Sequence, residues 1–265
     1  RNIPSTLRDF VPEIYTYGAN WIDMEYVKGR TLHEIYISGE YGIDAWKDIL
    51  FEIKDFTDAM NLYTVKAEQE ALDTMYVTKT MNRLNALKNH PTISRYFKEE
   101  PVINGVLYPC INEVIDQVSQ SVSEMEPCET FSIIHGDLHF ANIILRQHGI
   151  CAVDPRGQFG RFITHGDPRY DIAKLYHSIE GGYDYIIEDM FYLDTQDGID
   201  YGLDVPEYGF DMMNLIRKTF DYNERDVRLI ESLLFLSMIP LHPESVSRQT
   251  VMFARGMELF GRAIR

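Results

Sequence analysis

Between Asp44 and about Asn61, apolar side chains return at helical spacing: Ala45, Ile49, Ile53, Phe56 and Met60. That period predicts an amphipathic helix with one buried face. A second helix is expected from Ala67 to about Leu87, stopping before Pro91 in KNHP. The residue ahead of a proline is pushed out of the helical region, so the pattern ends there. LYPCINEVIDQVSQSVSEM predicts a further amphipathic helix. Ahead of all these, FVPEIYTYG and WIDMEYV are rich in β-forming residues and flank the turn signal GAN, so they read as a hairpin. KGRTLHEIY follows as a turn and a short helix.

The texture then changes. FSII, NIIL and ICAV are short apolar β-runs with their polar residues in the loops between them. Beyond Gly160, THGDPRYDIAKLYHSI reads as a loop feeding a helix near Tyr170. PEYGFDMMNLIRKTF, ERDVRLIESLLFLSMI and ESVSRQTVMFARGMELFGRAI read as closing helices. No repeat, low-complexity tract or long linker interrupts this order. A strand pair, helices, a small β-insert and more helices make an α+β chain, and 265 residues suit one large domain or two lobes sharing a cleft.

Charge narrows the function classes. Acidic residues number 41 against 25 basic, a formal net charge of −16. Such a surface repels phosphate backbones, so nucleic acid is not an expected partner. It could favour a cationic substrate, or simply serve solubility. Cys110, Cys128 and Cys151 form no CxxC pair, which argues against a disulfide framework or a cysteine zinc site and fits a reducing cytoplasm. RNIPSTLRDF carries no apolar leader, and no window approaches the ~18 uninterrupted apolar residues of a membrane span. LIESLLFLSMIP, the longest candidate, is broken by Glu231. The expectation is a cytoplasmic protein without membrane insertion.

The candidate chemistry sits in FSIIHGDLHFANIILRQHGICAVDPRGQFG, Phe131 to Gly160. Asp137 and Asn142, on a loop between two strands, can point into one cleft, and a further strand returns Asp154 to the same place. Carboxylate and amide oxygens are the hard ligands that Mg²⁺ prefers, alongside substrate phosphates. Asp137 is then free to orient and deprotonate a hydroxyl, as phosphoryl transfer requires. Taken singly, an Asp or Asn beside a turn is more often an Asx-turn residue. The combination is what carries weight: H-G-D, four residues, N, and AVDPRG at twelve residues further on.

This pattern resembles the catalytic and metal-binding segments of the aminoglycoside phosphotransferase and choline kinase family, which shares the two-lobe protein-kinase-like fold. The resemblance implies that Asp137 is the catalytic base and that Asn142 and Asp154 hold Mg²⁺ against the phosphates of ATP. His135 would brace the loop. GDPRYDIAKL resembles the family's D-P-x-x-D-[IL]-A segment, so Asp171 would accept hydrogen bonds from the catalytic loop; a plain helix N-terminal residue is the other reading. WIDMEYVKGRTL resembles the hinge between lobes, with the backbone of Glu25, Tyr26 and Val27 facing adenine and Met24 as gatekeeper. An amphipathic edge strand explains those residues equally well. Of Arg156, Arg161 and Arg169, only Arg156 is expected to clamp a phosphate or an anionic substrate group; a surface salt bridge is the expectation for the others. Tyr183, Tyr185 and Trp46 could line a substrate pocket or belong to the core. The other histidines show no zinc spacing.

The resemblance covers nearly the whole chain but begins late. Only about twenty residues precede the hinge-like segment. Neither a glycine-rich loop nor a strand lysine is visible there, and Lys28 lies past the hinge. Residues 1–27 are therefore expected to be a remnant of an N-terminal β lobe and hinge, the ATP lobe being truncated and its missing part possessed by a longer or fused protein. Residues 28–265 would form the helical catalytic and substrate-binding lobe. The expected activity is Mg²⁺-dependent transfer of the ATP γ-phosphate to a hydroxyl of a sugar, amino alcohol or aminoglycoside. VDPRGQFG looks similar to family members of bacterial surface-polysaccharide synthesis. The alternative is a catalytically silent nucleotide-binding or scaffold domain of the same fold.

Overall fold

The computed structural model describes residues 3–156, 158–205 and 209–265. β1 (Ile14–Tyr17) and β2 (Ile22–Met24) pair antiparallel as the expected hairpin, with a register shift between Ile14 and Thr16. β3 (Arg30–Thr31) runs into α1 (Leu32–Ser38), whose start is fixed by a capping box. The Thr31 hydroxyl accepts from the Glu34 N–H, and the Glu34 carboxylate accepts from the Thr31 N–H. In α2 (Ile43–Asn61) the predicted face, Ile49, Ile53, Phe56 and Met60, is buried together with Trp46.

β4 (Thr64–Lys66) precedes the second expected helix, which is a single helical run in pieces. α3 (Gln69–Leu72) passes through a π-helical turn, Asp73–Thr78, into α4 (Lys79–Asn85) and then tightens over Ala86–Asn89. Such π turns recur at functional sites because they rotate the side chains beyond them. A small hairpin, β5 (Val102–Ile103) with β6 (Val106–Leu107), leads to α5 (Ile111–Ser123).

The β-insert splits between two sheets. β7 (Thr130–Ile133) lies in the first, while β8 (Ile143–Arg146) and β9 (Gly149–Ala152) pair in the second, where β3 completes the other edge of β8. β10 (His165–Gly166) and β4 flank β7 on its two sides. The loop from β7 to β8 therefore crosses from one sheet to the other, and the turn after β9 comes back beside it. α6 (Arg169–Ile179) follows, buried along its whole length.

Like β4, the β5–β6 hairpin and β10, a short α7 (Tyr183–Ile187) and the hairpin of β11 (Phe191–Asp194) with β12 (Asp200–Leu203) were not foreseen. α8 (Gly209–Thr219), α9 (Glu224–Met238) and α10 (Val246–Ala263) close the chain. The helix expected from Pro206 is seen from Gly209; Pro206 to Tyr208 lie outside the described residues. α9 packs against α4, α6 and α10 at the centre of the helical body. Among the described residues, no helix is long and apolar enough to cross a membrane.

Candidate active site

The loop between β7 and β8 is held by its backbone. Gly136 sits at φ 77°, a conformation that glycine adopts without a Cβ clash, and it turns the chain sharply between His135 and Asp137. Asp171, in the first turn of α6, accepts from the N–H groups of both His135 (2.7 Å) and Gly136 (2.8 Å). Its carboxyl is buried, and burial pushes its pKa up to about 7 against the pull of those two donors. The His135 Nε2–H donates to the Val153 carbonyl at 3.0 Å. Burial brings that ring down to about 4, so it is neutral under ordinary conditions. The Arg156 N–H in turn donates to the His135 carbonyl. Residues 135–137 and 153–156 are thus stitched into one unit.

Asn142 belongs to the same unit. Its amide nitrogen donates to the Asp137 carbonyl at 2.9 Å, and its own carbonyl accepts from the Val153 N–H at 2.9 Å. That second bond brings Asp154 alongside. Asp154 adopts φ 56°, the left-handed region that costs a non-glycine residue about 1–2 kcal/mol. Its carboxylate meets no cationic side chain at ion-pair distance among the described residues. Asp137 is different: Lys174, on α6, stands 2.7 Å from its Oδ1, and His139 Nε2 is 3.9 Å from its Oδ2. Burial works to raise the Asp137 pKa, but the Lys174 ammonium outweighs it and holds the carboxylate below its usual range.

A cleft of ≈ 560 Å³ opens onto Asp137. Beside Asp137 and His139 it is lined by Lys79 and Arg83 from α4, by Arg156, and by Lys174. Tyr183 also lines it. Tyr185 and Trp46 do not: both are core residues, Trp46 stacked on Phe140 with ring centroids 5.2 Å apart. Sequence reasoning missed Lys79, Arg83 and Lys174. The available signals were the four-residue spacing of Lys79 and Arg83 on one helix, and of Lys174 one turn beyond Asp171. Arg161 pairs with Glu68 at the surface. Arg169 corrects the expectation of a surface pair: it is buried and forks onto Asp167 (2.8 Å) and Asp226 (2.9 Å), anchoring the start of α6. Gly157 of the VDPRGQFG segment lies outside the described residues.

The hinge-like segment lies elsewhere, along the β1–β2 hairpin. A second cleft of ≈ 880 Å³ there is lined by Glu13, Ile14, Trp21, Glu25 and Arg146 among others. The Glu25 N–H donates to the Glu13 carbonyl at 2.8 Å, so that donor is committed within the hairpin. Met24 is half exposed and Tyr26 is 90% exposed.

Among the described residues, no group of three or more His, Cys, Asp or Glu side chains could hold a metal. The donor set of Asn142 and Asp154 nevertheless fits Mg²⁺, which takes one or two protein oxygens and completes its shell with water and phosphate. The Asn142 amide nitrogen is anchored on Asp137, which leaves its oxygen as the ligating end, and the Asp154 carboxylate is not consumed by an ion pair.

A carboxylate on a braced loop, an amide and a second carboxylate returning beside it, and a helix-bound carboxylate behind them make up the site. Solved structures of small-molecule phosphotransferases share the chain's protein-kinase-like fold. The chain is similar to a glucosamine kinase in complex with glucosamine, ADP and inorganic phosphate: TM-score 0.59, 9% identity, over 95% of this chain. It is similar to the aminoglycoside phosphotransferase APH(4)-Ia: TM-score 0.59, 11% identity, over 98% of this chain and 78% of that one. A thermostable mutant of that enzyme in a ternary complex with ADP and hygromycin B gives a TM-score of 0.55 at 12% identity, over 98% and 79% of the two chains. The chain spans 64% of the length of the glucosamine kinase. No family model matches the sequence, and no curated protein does. At these identities the likeness establishes the aminoglycoside-phosphotransferase-like kinase fold.

Proposed function

We propose that the protein is a small-molecule kinase that transfers the γ-phosphate of ATP to a hydroxyl, with residues 28–265 as the catalytic and substrate-binding lobe. One observation carries this reading: Asp137 is ionised and fixed on the same hydrogen-bonded unit that carries Asn142 and Asp154. The fold neighbours support it, because their complexes contain ADP with glucosamine or with hygromycin B.

The chemistry follows from the residues. Asp137 Oδ2, opposite the oxygen held by Lys174, orients the acceptor hydroxyl and takes its proton as the new O–P bond forms and the bond from the γ-phosphorus to the β,γ-bridging oxygen breaks, releasing ADP. Lys174 keeps Asp137 in one rotamer and adds positive charge where the transferred group gains negative charge. Asn142 and Asp154 would hold Mg²⁺, which would neutralise the nucleotide phosphates. His135 and Asp171 position the loop without touching substrate. Arg156, on the turn after Asp154, clamps a phosphate or an anionic group of the substrate. The hinge role for Met24, Glu25, Tyr26 and Val27 is the nucleotide-side counterpart, with residues 1–27 as part of that wall. Among acceptors, the VDPRGQFG resemblance favours a sugar of surface-polysaccharide synthesis.

The test is calorimetric titration with Mg-ATP, beside the Asp154→Ala variant, followed by ADP-release kinetics on hydroxyl acceptors. Binding that disappears in the variant, and turnover that needs Asp137, support the kinase. Nucleotide binding with turnover indifferent to Asp137→Asn would leave the silent scaffold instead.

A further inference from the structure

The cleft beside Asp137 has the opposite sign to the chain. The protein carries a net charge of −16, yet Lys79, Arg83, Arg156 and Lys174 line this one cleft, and Asp137 is its sole carboxylate among the described lining residues. Lys174 is neutralised by Asp137 at 2.7 Å. The other cations have no carboxylate within ion-pair distance among the described residues. Lys79 has only the face and hydroxyl of Tyr170, at 5.3 Å from the ring centroid and 3.4 Å from the oxygen. Arg156 leans on the same Tyr170 hydroxyl.

Gathering like charges this way is costly. Lys79 and Arg83 are four residues apart on α4, where like charges repel. Burial lowers the Lys79 pKa from 10.5 to about 8, with Arg156 and then Arg83 adding to the shift. Such a cluster is relieved by a bound anion. A protonated amine entering here would face unpaired cations and a carboxylate already paired with Lys174.

We propose that the acceptor is an anionic hydroxyl compound, carrying a carboxylate or a phosphate near the hydroxyl to be phosphorylated, and that Lys79, Arg83 and Arg156 hold its anionic group. The word acceptor rests on the kinase reading; the anion site itself rests on the cleft. The nucleotide's own phosphates are the competing occupant. Against that, neither Asn142 nor Asp154 lines this cleft, whereas Leu234, Met238 and Leu241 of the helical body line it together with Lys79 and Arg83.

The experiment has two arms on the full chain. In the first, glucose, glucosamine, glucuronate and glucose 6-phosphate are titrated calorimetrically without nucleotide, into the parent and into Arg83→Gln, Arg83→Lys and Lys79→Met. Binding of an anionic sugar in preference to glucose and glucosamine is expected, weakened about 10- to 100-fold by Arg83→Gln and largely kept by Arg83→Lys. Tighter binding of glucuronate assigns a carboxylate, and of glucose 6-phosphate a phosphate. Equal or better binding of glucose or glucosamine, or no binding of either anionic sugar at millimolar concentration, overturns the inference.

In the second arm the same sugars are offered with Mg-ATP. Charge-dependent binding without phosphoryl transfer keeps the anion site and removes the kinase reading. Transfer to glucosamine in preference to the anionic sugars keeps the kinase and removes the inference. A rise in the KM for ATP, with the acceptor KM unmoved in Arg83→Gln, gives these cations to the nucleotide and also overturns it.

Discussion

The loop between β7 and β8 and the N-terminal hairpin are built from similar material, short apolar runs punctuated by polar residues, and they end in opposite states. The loop's amides are bonded to a buried carboxylate more than thirty residues away, its histidine is bonded to the turn after the next strand pair, and its asparagine side chain to the Asp137 carbonyl. The hairpin is held by its own ladder, and every strand residue in it is exposed, including Ile14, Tyr15, Tyr17 and Ile22. A β-rich pattern therefore specifies a hairpin without specifying a surface for it, whereas the motif's precision comes from partners outside the motif.

The sharpest way to break this comparison is at Asp137. Asp137→Asn keeps the size and loses the base, so kcat for the acceptor should fall about 10²- to 10⁴-fold while the chain stays folded by circular dichroism, with a lowered melting temperature because Lys174 loses its partner. Unchanged turnover would remove the base role. Next comes Asp171→Ala, which strands the buried N–H groups of His135 and Gly136. Each orphaned donor costs about 1–3 kcal/mol, so urea unfolding should show a loss of about 2–6 kcal/mol. A loss within about 0.5 kcal/mol would mean that the loop does not depend on its long-range anchor.

Local spacing made much of the site legible. His135, Asp137, Asn142 and Asp154 could be read because four residues and then twelve fix their relation within one β-insert. Helix faces such as Ile49, Ile53, Phe56 and Met60 could be read because burial follows the helical period. What could not be read was assembled in three dimensions. Lys79 and Lys174 lie 95 positions apart and meet only because α4 and α6 both pack on α9. The whole-chain charge gave no sign of the basic lining of this cleft, since −16 summed over a surface says nothing about one cleft. β7 was recognisable as a strand, but its pairing with Thr64–Lys66 was not, because a three-residue edge strand leaves almost no periodic signal. Arg169 was misjudged because its partner Asp226 lies 57 residues on, beyond any local rule.

Lys79 supplies a smaller and pH-dependent test of the buried side of the comparison. In the unfolded chain its ammonium persists to about pH 10.5, while in the folded cleft it is lost near 8. Below pH 8 both states are charged and the folded state bears the burial cost. Between the two values the unfolded state binds more protons, so stability rises with pH, by about 3 kcal/mol across the window. Lys79→Met lacks this proton. The stability difference between parent and variant, measured by denaturant melts from pH 7.5 to 10.5, should therefore move in the parent's favour as pH rises. A difference that stays flat would place Lys79 in water, outside the cationic cleft.

The smallest effect belongs to the hairpin. Tyr26, 90% exposed just past β2, buries almost nothing, so removing its ring forfeits almost no apolar contact. Tyr26→Ser should change stability by no more than about 0.5 kcal/mol. The same substitution leaves the backbone that would face adenine in place, so the Kd for Mg-ATP should hold if the hinge works through its main chain. A stability loss above about 1 kcal/mol would show that the ring is packed, and the contrast between a self-contained hairpin and an anchored loop would fail at that point. A weakened Mg-ATP affinity at unchanged stability would instead sharpen the contrast, by giving the exposed ring a ligand as its missing partner.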